Sequence, residues 1–200
     1  MPTHTPTATV ATPKARTMNT GLTALWKGQS PAAAADAVWV PLVSGALILA
    51  VGAMSLATKS PWLFAGLGPT ALMIAASPGH TTTRFHSIVL GHAVAFVCAW
   101  LAVMLVGASG SPALLSAQSM PVARVWASAI AVAVTALVQP SLRAYHPPAA
   151  ATALLVTLGV YRLNWKTSLS LLAGVLLVAL LGEWFQRIRI AEQQRAKSRA

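Results

Sequence analysis

From Ala37 to Ala57 the chain runs for 21 residues without a charged side chain. A helix of that length covers the roughly 30 Å of a bilayer's hydrocarbon layer at about 1.5 Å per residue. Five further apolar stretches follow, at 62–77, 87–107, 122–138, 147–160 and 167–185. Of the 200 residues, 56% are hydrophobic and 8% charged, whereas a soluble domain carries about 25% charged residues. That composition cannot clothe a globule in water. It also lacks the strict repeat of a coiled coil or collagen and the polarity of a disordered chain. The sequence predicts an all-α polytopic membrane helix bundle of six segments.

Two segments differ from the rest. The second, 62–77, is interrupted by Gly66, Gly68 and Pro69; the fifth, 147–160, opens on two prolines and runs 14 residues, short of the ~17 to 25 usual for a spanning helix. The two also resemble each other, Gly68-Pro69-Thr70-Ala71-Leu72-Met73-Ile74 matching Ala150-Ala151-Thr152-Ala153-Leu154-Leu155-Val156, with Thr70 and Thr152 82 residues apart. The same offset carries the first segment close to the fourth and the third into the sixth. A unit with an odd number of crossings is inserted in opposite orientations in its two copies. The expected architecture is therefore a 3+3 inverted repeat, halves about 37–107 and 121–186, of a kind common in transporters. Chance similarity between Ala/Leu/Val-rich segments is the alternative.

The flanks are basic. Fourteen Lys and Arg stand against three acids, Asp36, Glu183 and Glu192, for a net charge of +11. With six crossings, ten basic residues (Lys14, Arg16, Lys27, Arg84, Arg143 and five after Gln186) fall on one side and four (Lys59, Arg124, Arg162, Lys166) on the other. The rule that basic loops stay inside then places both termini in the cytoplasm and the chain in the cell's inner (plasma) membrane; if the two short segments are re-entrant and only four helices span, the basic residues divide nine against five with the same termini. Anionic lipid as a partner accounts for the surplus without nucleic acid. Residues 1–35, acid-free and rich in Thr, Pro and Ala, are expected to be a disordered basic tail, with an organellar transit peptide as the alternative. Residues 36–186 form the membrane domain and 187–200 a basic cytoplasmic tail. Trp39, Trp62, Trp126, Trp165 and Trp184 fall at segment ends, as interfacial aromatics do.

The most unusual string is Arg143-Ala144-Tyr145-His146-Pro147-Pro148-Ala149-Ala150-Ala151-Thr152. Proline is tolerated in a helix's first turn, so a helix should begin at Pro147, with the Ala149 amide and the positive helix end open to an anion. His146 and Arg143 would flank that opening. In the first half, Gly68 and Pro69 suggest a second helix start, with the Thr70 hydroxyl one position on. Two such starts entering from opposite faces would meet near mid-bilayer and make a small anion site. His92, inside the third segment, has two readings, an interhelical hydrogen bond or a substrate or proton-relay role. His80, His86 and His92 are spaced by six, which is no single helix face and no usual ligand spacing. With one cysteine, Cys98, there is no disulfide framework. No Ser-His-Asp set, HExxH string, Walker loop or carboxylate pair is present, so no enzyme and no cofactor are expected. Glu183 and Arg187, four apart, suit an ion pair, and Ser44, Gly45, Gly52, Ala129, Ala133, Gly174 and Gly182 suit close helix packing.

The His146-Pro147-Pro148 string, with Leu67-Gly68-Pro69-Thr70-Ala71 and Gly91-His92, resembles the HPP family of integral membrane proteins over Trp39 to Phe185. The resemblance implies a small multi-span protein, with plastid and cyanobacterial relatives associated with nitrite transport, and marks His146, Pro147, Pro148, Gly68, Thr70 and His92. Many relatives have a Pro-Phe-Gly-Ala-Ser type string where this chain has residues 66–70, and Pro-Arg-Asn where it has Phe85-His86-Ser87, which suggests a separate branch. The expected function is transport of a small inorganic anion, nitrite or nitrate first, with room for a homo-oligomer. A non-transporting membrane module that binds lipid or a partner protein through its basic tails is the alternative.

Overall fold

The computed structural model describes residues 31–161 and 164–198. The backbone divides into a short N-terminal unit, Met1–Ala37, of which only the start of the first helix is described, and a compact unit, Val38–Ala200. Among the described residues the regular structure is entirely helical: α1 (Pro31–Thr58), α2 (Leu67–Ala76), α3 (Phe85–Leu105), α4 (Val122–Ser141), α5 (Ala150–Thr157, entered through a 3₁₀ turn Pro147–Ala149) and α6 (Trp165–Lys197). Among the described residues four helices are long and apolar enough to cross a membrane: α1 from Ala35, α3, α4 and α6. At about 1.5 Å per residue, α2 and α5 are too short to cross as helices.

The distribution of side chains is that of a chain dissolved in lipid. Leu49, Leu56, Leu105 and Leu137 are each more than 70% exposed, while Thr70, His92, His146 and Thr152 are wholly buried. In water this would be inverted. Polar groups are instead gathered inside, where they satisfy one another.

Two hydrophobic cores hold the described bundle. The first joins α1, α2 and α6 through Val43, Leu47, Val51, Leu67, Ile74, Leu171, Val175 and Val178. The second joins α3, α4 and α5, and is built almost entirely of alanine: Ala95, Ala99, Ala102, Ala127, Ala131, Ala149 and Ala153, with Val103 and Val156. Alanine lets backbones approach closely, which is how helices gain contact energy where lipid offers no hydrophobic drive.

Contacts along the long helices fix the course of the broken segments. Gly174 and Gly182 of α6 lie against the Trp62 carbonyl and the Ile74 side chain, and Gln186 binds Gly79 and Thr83. Residues 62–83 therefore run beside α6 in its own direction, past twelve residues or about 18 Å of it. On α4, Gln139 meets His146, Ser128 meets Thr157 and Arg124 meets Gly159. Residues 146–159 thus run against α4, past fifteen residues or about 22 Å. Both segments begin beside His92 of α3. From there α2 heads for the loop that precedes α3, and α5 heads for Gly159, beside Val103 and Met104 at the far end of α3.

Several expectations change. α2 starts at Leu67 rather than at Pro69, which occupies the third helical position, where amides have no intrahelical acceptor and none is missed. Gln139, Pro140 and Ser141, read as loop, are the last turn of α4. α6 runs on to Lys197, so the basic segment after Phe185 continues the helix. α1 begins at Pro31, ahead of the expected boundary, and the rest of the N-terminal tail lies outside the described residues, as does Arg162. Ala129 and Ala133 are exposed, because the 3.6-residue period puts Arg124, Ala127, Ala131, Thr135 and Gln139 on the buried stripe instead. Gly45 has no close neighbour, whereas Gly174 and Gly182 are tightly packed. The Glu183–Arg187 pair forms at 3.1 Å.

Candidate functional site

The two broken helices begin against each other. Gly66 is the N-cap of α2, and a Cβ placed there would come within 2.9 Å of the Thr152 hydroxyl in α5. Only glycine permits that approach. Between the helix starts stand two imidazoles, His92 and His146, with ring centroids 5.2 Å apart. His92 binds Thr152 Oγ1 through Nδ1 at 2.7 Å and Thr70 Oγ1 through Nε2 at 3.1 Å. His146 binds Thr70 Oγ1 through Nε2 at 3.0 Å and the Thr82 carbonyl through Nδ1 at 2.8 Å. The threonines that align across the two halves of the sequence therefore hang on opposite nitrogens of one ring.

Counting hydrogens selects one arrangement for uncharged rings. A carbonyl only accepts, so His146 Nδ1 carries the proton and Nε2 accepts from Thr70. Thr70 has a single hydrogen, so His92 Nε2–H donates to Thr70, and His92 Nδ1 accepts from Thr152. The result is a one-way chain, Thr152 to His92 to Thr70 to His146 to the Thr82 carbonyl, in which every nitrogen is satisfied. The Thr70 hydroxyl has an alternative acceptor, the Gly66 carbonyl at 3.1 Å.

The cluster is braced by a residue the sequence reading passed over. Gln139 accepts the His146 amide at 3.1 Å and donates to the Gly91 carbonyl at 3.0 Å, tying α4, α3 and the HPP turn together. The signal was present: Arg124, Ala127, Ala131, Thr135 and Gln139 recur every three or four residues, and polar groups on an apolar helix's buried stripe are rarely idle.

Two cavities lie at opposite ends of α3. One, of about 500 Å³, is lined by Thr81, Arg84, His86, Ser87, Pro140, Arg143 and Tyr145. The other, of about 430 Å³, is lined among others by Ser111, Arg124, Gly159 and Tyr161. Each carries arginine, and neither is lined by a carboxylate. Along α3, His92 is about 7 Å from the level of Ser87 and about 17 Å from that of Val103, and the alanine core fills the longer gap. None of Thr70, His92, His146 and Thr152 lines either cavity.

Arg124, not among the expected binding residues, is buried and donates to three carbonyls: Thr157 at 2.8 Å, Ser111 at 2.7 Å and Pro112 at 3.1 Å. Its guanidinium lies where a Cβ on Gly159, at φ +71°, would stand. Of the expected residues, His146, His92, Thr70 and Thr152 come together; Arg143 lines the neighbouring cavity; Pro148 is buried and Pro147 exposed beside them. Gly68 and Pro69 face outward, away from the cluster. The Ala149 amide, expected to be open to a ligand, donates to the His146 carbonyl at 3.0 Å as the first 3₁₀ turn closes. Among the described residues no three His, Cys, Asp or Glu side chains gather as a metal site.

Fold and site together define a polytopic helical membrane protein with a buried histidine and threonine cluster at the junction of two broken helices. The chain matches the family model described as HPP, transmembrane region, over residues 29–196, and belongs to that family. No curated protein and no solved structure matches it.

Proposed function

We propose that this chain is a permease for a small monovalent inorganic anion, with nitrite and nitrate as first candidates. The observation that carries the reading is the polar cluster between two broken helix starts, flanked at both ends of α3 by arginine-bearing cavities. Arg84 and Arg143 on one side and Arg124 on the other raise local anion concentration. Between them the Thr70 and Thr152 hydroxyls and the His92 and His146 N–H groups offer a buried polar stop. The closed part of the route is the alanine core between the cluster and Arg124, where the side chains to be displaced are small. Pro147 and Pro148 set the turn that presents His146.

The same reading takes the chain as a 3+3 inverted repeat. In such a repeat α1, α2 and α3 correspond to α4, α5 and α6. The core of α1, α2 and α6 then has its counterpart in the core of α4, α5 and α3, each half contributing its third helix to the other. Just past the end of the first helix of each half stands a basic residue with φ of 52°, Lys59 and Arg143. Six crossings put both termini on the side with the larger basic excess, the cytoplasmic side of the plasma membrane. The protein acts as a carrier and not as an enzyme, and a homo-oligomer in anionic lipid is its working form.

One observation favours a non-transporting module with interacting basic tails: every imidazole nitrogen of the cluster already has a protein partner. Purified protein in liposomes separates the two. A panel of nitrite, nitrate, formate, chloride and fluoride, followed by anion uptake under a concentration gradient, is expected to show selective nitrite and nitrate entry. Uptake no faster than in empty liposomes for every anion removes the permease reading.

A further inference from the structure

The geometry points to a second substrate, a proton that enters with the anion and is carried on His146. This rests on the permease reading above and adds the coupling ion to it. Every hydrogen-bond partner of the two buried rings is neutral: the Thr70 and Thr152 hydroxyls for His92, the Thr70 hydroxyl and the Thr82 carbonyl for His146. The nearest aromatic neighbour, Phe64, is neutral as well, and from α4 the group that reaches His146 is the Gln139 amide. The charged and titratable groups around His146 are His92 on α3; His80, whose ring binds Thr82; Glu183 and Arg187 of α6, which share a further cavity with Arg84 and His86 and do not touch the cluster; and, in the adjoining cavity, Arg84, His86, Arg143 and Tyr145. An anion that moved from that cavity into the cluster would leave its arginines behind. It would then stand in a low-dielectric site with no fixed charge against it, which is strongly unfavourable. Of the groups that touch the cluster, only the two imidazoles are able to supply a positive charge.

The structure holds a device for doing so without moving heavy atoms. Uncharged His146 accepts from the Thr70 hydroxyl at Nε2. When His146 takes a proton, a new N–H bond forms at Nε2 and the Thr70 hydrogen must leave that nitrogen. The Gly66 carbonyl, 3.1 Å from Thr70 Oγ1, is its acceptor. The Thr70 oxygen then accepts from both rings, from His92 Nε2–H at 3.1 Å and His146 Nε2–H at 3.0 Å. Rotation of one hydroxyl thus converts a neutral cluster into a cationic one that remains fully hydrogen-bonded. The balance is one proton gained at His146 for one monovalent anion bound, so the loaded site has no net charge. Both leave together on the other side, and the cycle is electroneutral.

The test uses the full chain in proteoliposomes with nitrate as probe, since nitrous acid crosses lipid unaided and would mimic coupling. A pH dye is trapped inside, and membrane potential is clamped with potassium and valinomycin. An outside-acid gradient is expected to drive nitrate uptake against its concentration gradient, with one proton entering per nitrate, and the rate is expected to be indifferent to the clamped potential. Thr70→Ser retains a rotating hydroxyl and should keep the coupling, whereas Thr70→Val should lose at least tenfold in proton-driven uptake. Nitrate uptake that follows the potential and leaves the internal dye unchanged overturns proton coupling while leaving the permease standing. Absence of nitrate uptake under every gradient overturns both. The decisive measurement is on the unmutated chain, so a variant that fails to fold does not shelter the idea.

Discussion

Gly91 of α3 lies directly beneath His146: a Cβ built on the glycine would come within 2.7 Å of the histidine's own Cβ, with the Ala144 carbonyl 3.3 Å away. His146 is held in that place by its amide bond to Gln139, which also grips the Gly91 carbonyl. No flexible side-chain tip is available to yield. Gly91→Ala should therefore displace the HPP turn as a unit and pull the His146 ring off Thr70. We expect a loss of about 1–3 kcal/mol in unfolding free energy, typical of an overpacked interior, and a fall in nitrate uptake of more than tenfold. Thermal unfolding in detergent and liposome flux read the two effects separately. A well-folded Gly91→Ala protein with full uptake would show that His146 does not need its position.

Thr70 and Thr152 offer a sharper comparison, since each can be replaced by a residue of the same shape. Thr152→Val removes the donor to His92 Nδ1 and leaves that nitrogen buried without a partner. A buried unmet acceptor costs about 1–3 kcal/mol. Thr152→Ser should restore most of the loss. The expected order in both stability and uptake is Thr, then Ser, then Val, and equal uptake by all three would remove Thr152 from the site.

Much of this site was legible in the sequence because two kinds of signal coincide. A proline pair or a Gly-Pro pair marks where a helix starts, and the 82-residue offset pairs Thr70 with Thr152. His92 stood out as an imidazole inside an apolar run. Those signals are local or periodic, and Thr70, His92, His146 and Thr152 among the residues they marked come together, whereas Gly68 and Pro69 face outward. The residues that escaped do so for physical reasons. Gln139 stands one residue past the expected end of α4, where Pro140 makes a helix end look due, although a proline there removes only its own amide bond. Gly66 escaped because proline preference drew the helix start to Pro69, and close approach of Gly66 to Thr152 is a tertiary fact with no local trace. The packing of Gly174 against Trp62, and the idleness of Gly45, likewise depend on which neighbour each face meets.

Arg124 is a test of the far cavity. Three carbonyls at Ser111, Pro112 and Thr157 bind Nη2, Nε and Nη1 of its guanidinium, and a lysine, whose three donors radiate from one nitrogen, cannot reach oxygens spread around that plane. Arg124→Lys should loosen the connection between α3 and α4 and the end of α5, for a loss of about 2–4 kcal/mol given that bonds to charged groups contribute about 1.5–3 each and are not additive. Gly159→Ala acts on the same joint, since it adds a methyl against the guanidinium at a left-handed φ of +71°. Both variants are expected to show faster amide exchange at residue 111 and at residues 157–159, measured by mass spectrometry. Unchanged exchange there would mean that the arginine does not hold the joint closed.

Thr135 Oγ1 is buried and has no hydrogen-bond partner, one turn before Gln139 on the α4 stripe. Valine has nearly the same outline without the hydroxyl. Thr135→Val should therefore stabilise the protein by about 1 kcal/mol or more, because it removes an unmet polar group from an apolar surrounding. The check is a rise in the unfolding midpoint in detergent; a fall would show that the hydroxyl is engaged in the membrane.

Arg143 allows charge and fold to be pulled apart. It stands just past the end of α4 with φ of 52°, a left-handed conformation that disfavours residues with a Cβ by roughly 1–2 kcal/mol, and its side chain lines the cavity beside His146. Its amide bond to the Pro140 carbonyl, and that of Ala144 to the Gln139 carbonyl, both at 2.9 Å, close the helix end without help from the side chain. Arg143→Gly keeps those bonds and relieves the strain, so the variant should be more stable by about 1 kcal/mol. The same change removes a cation from the cavity that collects anions, and at low ionic strength the apparent KM for nitrate should rise several-fold with kcat little altered. Salt screens such fields within about 10 Å at 0.1 M, so the difference between variant and parent should shrink as salt is added. A variant that is both more stable and kinetically identical to the parent at low salt would show that anions do not enter past Arg143.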